Sequence, residues 1–458
     1  MTGAVKKIKY LFCVLPGCLF FISSAFPQNN QREVNIQAAF DQYRTRFIQE
    51  KLFIHTDKDT YISREICWFR IYYTDVFYNR PALVSKIAYI ELLDKNNLPV
   101  LQQKVSLKPD ESYGSMIIPV NIPSGTYRLR AYTSWMKNFS PDYYFEKSIR
   151  IINPHNLQAD LPASKIKQYD IQFFPEGGNL VQQLKSKVGF RVTDVYGKGL
   201  ECEGAVLSSA GDTVLHFHSL TMGLGHFVFT PAPGQNYKAV IHFPPGDQVV
   251  KELPQAYENG FVVSVLKDIG STISVHVNSS ALLDGQDVYL FVHNNHQSLP
   301  VLKQKLVNRE AIFPIKPEEI GDGISRITLF NESGQPVCER LYFKYPEKKL
   351  QINALANQQF NTRSKIELNV STTDQAGNPL SADMSIAVYR LDSLQQPDEL
   401  NILNYTYLTA ELGPVEHPSH YFMENSKNRD EEMDNLMLTH GWRRFIWHDM
   451  FTQKPFPI

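Results

Sequence analysis

From residue 51 onward the chain alternates apolar and polar side chains in short runs. WFRIY at 68–72, VGFRV at 188–192 and FVVSV at 261–265 are examples. A period of two sends successive side chains to opposite faces of a strand. Turn residues interrupt the runs about every 8–12 residues, the spacing of antiparallel sandwiches rather than of strand–helix–strand units. Ahead of this region, residues 34–50 place Ile36, Phe40, Tyr43 and Phe47 at spacings of four, three and four, one face of a short lead-in helix. From Leu400 the alternation fails, and the tail to Ile458 reads as partly helical.

Internal repetition sharpens the picture. YISR at 61–64 leads into a strand ending at Thr74-Asp75, and FNTR at 360–363 leads into one ending at Thr373-Asp374, over the same span of 14 residues. KVGFRVTD at 187–194 is a shorter copy. Gly114, Met116 and Ile118 alternate, turn at PSG 123–125, and return as Tyr127, Leu129 and Ala131. Gly225, Phe227 and Phe229 do the same through Pro233-Gly234 to Tyr237, Ala239 and Ile241. A third element is a turn opened by an acid: Asp94 to Asn97, Asp194 to Gly197, Asp374 to Gly377. Its last position needs positive φ, which Asn and Gly accept. The expected fold is all-β: tandem antiparallel sandwiches at 51–153, 168–257 and 260–346, a partial one at 349–395, then a C-terminal segment at 400–458.

With 458 residues, 43% of them hydrophobic, the chain can bury several separate cores. Its 46 basic and 47 acidic side chains leave no basic footprint, so a nucleic-acid partner is excluded. Lys6, Lys7 and Lys9 precede an apolar stretch at 10–22 and then Ser23-Ser24-Ala25, which makes residues 1–25 an expected export signal. A retained anchor and lipid attachment at Cys18 are the alternatives. Cys67, Cys202 and Cys338 remain, about 135 residues apart. That spacing suits neither a disulfide framework nor a metal site, and three buried thiols in separate domains are expected.

These residues also carry a resemblance. KLFIHTDK at 51–58, Tyr61 and the strand at Trp68-Phe69 resemble the opening of a macroglobulin-type, immunoglobulin-like β-sandwich. FPEGG at 174–178, VGFRVTD at 188–194 and GLGHFVFTP at 223–231 resemble the next such domain. DNLMLTHGWRRFIW at 434–447 is similar to a segment of Gram-negative envelope proteins that place macroglobulin-like modules ahead of a TonB-dependent receptor plug. NYTYLTAEL at 404–412, with Pro418, Tyr421 and Phe422, belongs to the same likeness. The resemblance implies an exported protein of the periplasm or outer membrane, with its modules acting as scaffolds. Two departures limit it. Such chains continue into a plug domain where this sequence ends, so no receptor function is carried over. The Cys-Gly-Glu-Gln thioester of covalent protease trapping is absent from the sequence.

Candidate chemistry is sparse. His216 and His218 share one face of an expected strand, near which His226 and His242 could fall; they are read as an exposed sheet face and no metal is expected. His293 with His296, and His417 with His420, fall in turn-rich sequence. Gly177-Gly178 reads as a tight turn opening a strand, not a ligand loop. Asp430, Glu431, Glu432 and Asp434 read as a solvated helix N-terminus rather than a calcium loop. Aromatics at Tyr72, Tyr73, Phe77 and Tyr78, and at Trp135, Tyr143, Tyr144 and Phe145, divide between core and a docking patch. Neither a nucleophile elbow, a zincin motif nor a phosphate-binding loop occurs. No enzymatic activity and no cofactor are expected.

The candidate interaction surface is Trp442, Arg443, Arg444, Phe445 and Trp447, where Trp442 and Phe445 on a helix would seal a domain junction. The expected function is a non-enzymatic envelope scaffold, a rod or arc of sandwiches serving a protein partner, with a TonB-dependent outer-membrane receptor as the expected one and membrane association indirect. The alternatives are a macroglobulin-like endopeptidase inhibitor working without a thioester, and a carbohydrate-binding module array.

Overall fold

The computed structural model describes residues 28–46, 48–109, 111–156, 168–244, 246–267, 272–357, 359–391, 393–395 and 400–440. The expected export signal and residues 442–447 lie outside the described residues.

The first sandwich holds β1 (Glu50–Thr56), β2 (Thr60–Ile62), β3 (Ile66–Asp75), β4 (Ile87–Leu93), β5 (Pro99–Ser106), β6 (Tyr113–Ile117), β7 (Gly125–Thr133) and β8 (Phe145–Ile152). Sheet β1-β3-β6 faces sheet β2-β8-β7-β4-β5. Period-two burial is plain in β3, where Cys67, Phe69, Ile71 and Tyr73 are buried between exposed Ile66 and Trp68.

Next come β9 (Tyr169–Pro175), β10 (Leu180–Val181), β11 (Ser186–Asp194), β12 (Glu203–Ser208), β13 (Thr213–His218), β14 (Leu224–Phe229), β15 (Tyr237–Phe243), β16 (Asp247–Glu252) and β17 (Ala256–Tyr257). They form sheets β14-β11-β9 and β13-β12-β15-β16, with β10 and β17 as a parallel ribbon.

The third sandwich has β18 (Phe261–Lys267), β19 (Ile273–Ser279), β20 (Asp287–His293), β21 (Leu302–Lys305), β22 (Glu310–Ile315), β23 (Gly323–Phe330) and β24 (Pro336–Lys344), in sheets β18-β19-β22 and β21-β20-β23-β24. Beyond it, β25 (Gln351–Leu355) and β26 (Asn369–Thr373) make a two-stranded sheet. The fold is thus the all-β arrangement of sandwiches that the patterning implies.

Strand β20 reads VYLFV without alternation and β23 is buried along its whole length. The cause is a second covering layer: the N-terminal helix, Gln28–Arg46, packs Ile36 and Phe40 against Tyr289, Phe291 and Phe330, and residues 408–412 cover Ile324 and Arg326. A strand covered on both faces has no use for polar alternation.

The repeats reappear as geometry. Arg64 and Arg363 both sit at positive φ (75° and 63°), and the bridge Thr74 to Pro81 recurs as Thr373 to Pro379. In the acid-led turns, Asp94 and Asp194 each accept backbone N–H bonds from residues two and four ahead, while Asn97 and Gly197 take φ of 61° and 81°. Asn331 performs the same role with Gly334.

Cys67, Cys202 and Cys338 are free and lie in three different cores. Burial pushes Cys67 and Cys338 up to about 12 and Cys202 to about 11. At pH 8 the folded chain is therefore expected to leave all three thiols unlabelled by a thiol reagent over hours, and to expose them together on denaturation; fast labelling of any one would contradict this burial.

Candidate interaction site

Residues 400–440 tie the sandwiches together. Tyr405, in a helical stretch at 402–412, sends its ring into the first core, 5.4 Å from both Phe53 and Phe145. Leu408, Leu412 and Tyr421 instead join Met433, Leu436 and Met437 of the C-terminal helix, Arg429–Thr439, in a separate cluster. That cluster also takes Leu224 from the second sandwich and Ile324, Leu341 and Phe343 from the third. The helix sits close against β11 because residue 189 is glycine: a Cβ there would come within 2.8 Å of Leu438 Cβ. Gly189→Leu is expected to cost about 1–3 kcal/mol by overpacking. Limited proteolysis should then cut within 413–428 before it cuts any strand; an unchanged cleavage pattern would refute the docking.

Charges lock the same junction. Arg340, 2% exposed, donates from Nε to Glu176 Oε1 at 2.9 Å and from Nη2 to Asp434, which also pairs with Lys187 at 3.1 Å. Burial disfavours the Arg340 charge, but Asp434 and Glu176 outweigh it and hold its pKa above the ordinary value. Burial likewise opposes ionisation of Asp434, and Arg340 with Lys187 prevails, holding its carboxyl below the usual range. A second lock joins Glu411 to Arg326 at 3.3 Å and to Asn295 at 2.5 Å. The acids at the helix start were expected to be solvated. Asp430 and Glu431 are, but Asp434 is in this network and Glu432 is buried against His420 at 2.9 Å. Arg340 and Lys187, the partners of Asp434, are 94 and 247 residues away, which is why charge spacing alone misread it.

A cleft of about 760 Å³ lies between the β7–β8 side of the first sandwich and residues 400–418. Arg128, Arg130, Glu146, Tyr144, Val415 and His417 are in its walls. Glu146 pairs with Arg128 at 3.3 Å and Arg130 at 2.6 Å, and Lys147 with Asp59 at 2.6 Å. With its charges answered internally, the cleft is poorly suited to a free anion. Of the expected aromatics, Tyr73, Phe77 and Phe145 are buried, Tyr78 is exposed, and Tyr144 and Trp135 are engaged by neighbours. Tyr89, Tyr132 and Tyr144 stack at 5.4 and 4.7 Å, Lys137 covers two of them, and Trp135 donates to Ile48 O at 2.7 Å.

The histidines separate into distinct situations. His216 and His218 are exposed on β13, opposite Ala205 and Glu203, and His242 stands on the other side of Glu203. His226 borders the same small pocket as His216 and His218 and is engaged by Asn435 at 2.7 Å. Among the described residues no group of three or more His, Cys, Asp or Glu side chains is placed to hold a metal ion. His293 ends β20 buried between Phe40 and Phe291, and burial with Arg326 nearby drives its pKa well below the ordinary value. His296 bonds Phe77 O at 2.6 Å and Asn79 at 3.0 Å, so the third sandwich touches the first directly. No sequence signal marks that contact. Gly177 and Gly178 do form a positive-φ turn, and it carries Glu176 to Arg340.

Among the described residues no helix is long and apolar enough to cross a membrane. No family model matches the chain, and no curated protein sequence does. Among solved structures it is similar to Escherichia coli alpha-2-macroglobulin activated by porcine elastase, at 11% identity and a TM-score of 0.24 over 72% of this chain and 34% of that one. The native conformation of the same E. coli protein gives 11% identity and a TM-score of 0.19 over 70% and 25%. A biofilm-associated protein's BSP domain gives 10% and 0.21 over 64% and 65%. The chain thus spans about a third or less of the macroglobulins it is similar to, and at such scores the likeness assigns neither family nor activity.

Proposed function

We propose that this protein is a non-enzymatic scaffold of the Gram-negative cell envelope, built of macroglobulin-like sandwiches and acting through a protein partner. The observation that carries the reading is residues 400–440, which enter the first core and bridge the second and third sandwiches with apolar packing and buried ion pairs. A fixed set of sandwiches with grooves between them suits holding a partner. The resemblance around 404–447 supports a TonB-dependent outer-membrane receptor as that partner, and supports the periplasm or outer membrane as its place. The test is in-cell photo-crosslinking from position 415, at the rim of the cleft. A covalent adduct with an outer-membrane receptor is the expected result. Retention of a protease after specific nicking, with no envelope adduct, would overturn the reading in favour of an inhibitor.

A further inference from the structure

Among the described residues, the internal repeat has one unit that stays open. Counting from the shared Tyr61/Phe360 and Arg64/Arg363 positions, Ile366, Leu368 and Val370 correspond to Cys67, Phe69 and Ile71 of the first sandwich. The first-sandwich trio is 1%, 5% and 1% exposed; its counterparts are 57%, 40% and 43% exposed. Counting from Pro81 and Pro379, which make the same bridge, Ile386 and Val388 correspond to Ala88 and Ile90. Those two are fully buried, and their counterparts are 65% and 80% exposed. Ser385, just before them and on the opposite side of the alternation, is bonded to His55 at 2.6 Å and Tyr72 at 2.8 Å, and this leaves Ile386 and Val388 facing outward.

The same repeat states what belongs on these strips. In the first sandwich β6 pairs with β3 and β7 with β4, and residues 113–133 thereby run from one sheet into the other. They deliver Met116, Ile118, Leu129 and Ala131 to the core. Counterparts of β6 and β7 are absent among the described residues after 395, because residues 400–440 are spent on other cores. We infer that residues 349–391 are a strand acceptor, completed by an extended segment of a partner polypeptide that adds as antiparallel strands with apolar side chains at alternate positions. Main-chain hydrogen bonds to the edge of β26 that no described strand occupies would supply affinity, and the two apolar strips would select the alternation. The inference stands apart from the envelope reading, since it rests on burial and repeat alone.

The probe is a synthetic peptide of residues 112–134 of this protein, the segment that fills these positions in the first sandwich. Added to the full chain, it is expected to bind in the micromolar range and to slow hydrogen exchange at 366–373 and 384–388. The Leu368→Asp/Ile386→Asp variant should keep its thermal midpoint, because both side chains are exposed, and bind at least tenfold more weakly. A peptide with Met116→Asp and Leu129→Asp should also fail. No binding at millimolar peptide overturns the inference. So does slow exchange at 366–373 and 384–388 in the chain without peptide, whether monomer or dimer, because the strips would then already be covered.

Discussion

Replacing Arg340 by methionine is expected to destabilise the protein by about 3–5 kcal/mol, the usual cost of removing one partner from a buried ion pair. Glu176 is 2% exposed and has its carboxylate against the guanidinium. Without Arg340 that charge remains buried with no counter-ion, and Asp434 keeps only Lys187. The damage should be directional. Glu176 leads into the turn at Gly177, whose carbonyl accepts from Glu339 N at 3.2 Å, and Asp434 is on the C-terminal helix. Losing the shared cation therefore loosens the second sandwich, the third and that helix together. Urea denaturation followed by hydrogen exchange should show a lower midpoint and early exchange in 429–439. Combining Arg340→Met with Glu176→Gln and Asp434→Asn should recover most of the loss, since no charge is then stranded. A single variant of unchanged midpoint would refute the lock.

Much of the strand content could be read from sequence because a half-buried strand writes its environment locally. Cys67, Phe69, Ile71 and Tyr73 face one way and Ile66, Trp68 and Arg70 the other, and the alternation is visible before any partner is known. The turns were equally local, each needing one acid or amide and one residue of positive φ. Asn331 shows the limit of that rule, since an amide fills the place of Asp194 and a search for acids passes over it. What stayed hidden depends on distant partners. Asp434 is a helix-start acid by spacing and a partner of Arg340, 94 residues away, in space. His296 lies in a turn that gives no sign of Phe77, 219 residues away. In 402–412, helical pieces only a few residues long gain nothing from helix periodicity and are held by Tyr405 and Leu408 entering two different cores. The exposure of Ile386 and Val388 was invisible for the opposite reason: their pattern is that of an ordinary core strand.

Acidification from pH 7.5 to pH 4.5 is expected to weaken the fold through three histidines whose charged form burial disfavours. His293, His296 and His440 all have folded-state pKa values below the ordinary 6.5, with burial the leading cause in each. His293 is further opposed by Arg326 and Arg44, and His440, pushed down to about 4, by Arg191. Above pH 6.5 these rings are neutral in both folded and unfolded chains and stability does not depend on pH through them. Below it the unfolded chain takes up protons that the folded chain refuses, and stability falls with pH until each folded pKa is reached. For a ring lowered as far as His440 this amounts to roughly 3 kcal/mol by pH 4. Asp434 cannot be the source in this window, because its carboxyl is held below 3.8 and its contribution is lost only at lower pH. Urea midpoints measured between pH 7.5 and 4.5 should therefore fall steadily. His293→Phe, set between Phe40 and Phe291, should flatten the slope by removing one proton-refusing ring from the contact between the N-terminal helix and the third sandwich. If wild type and His293→Phe lose stability in parallel, His293 is not held neutral at that contact, and the acid sensitivity has to come from His296 and His440.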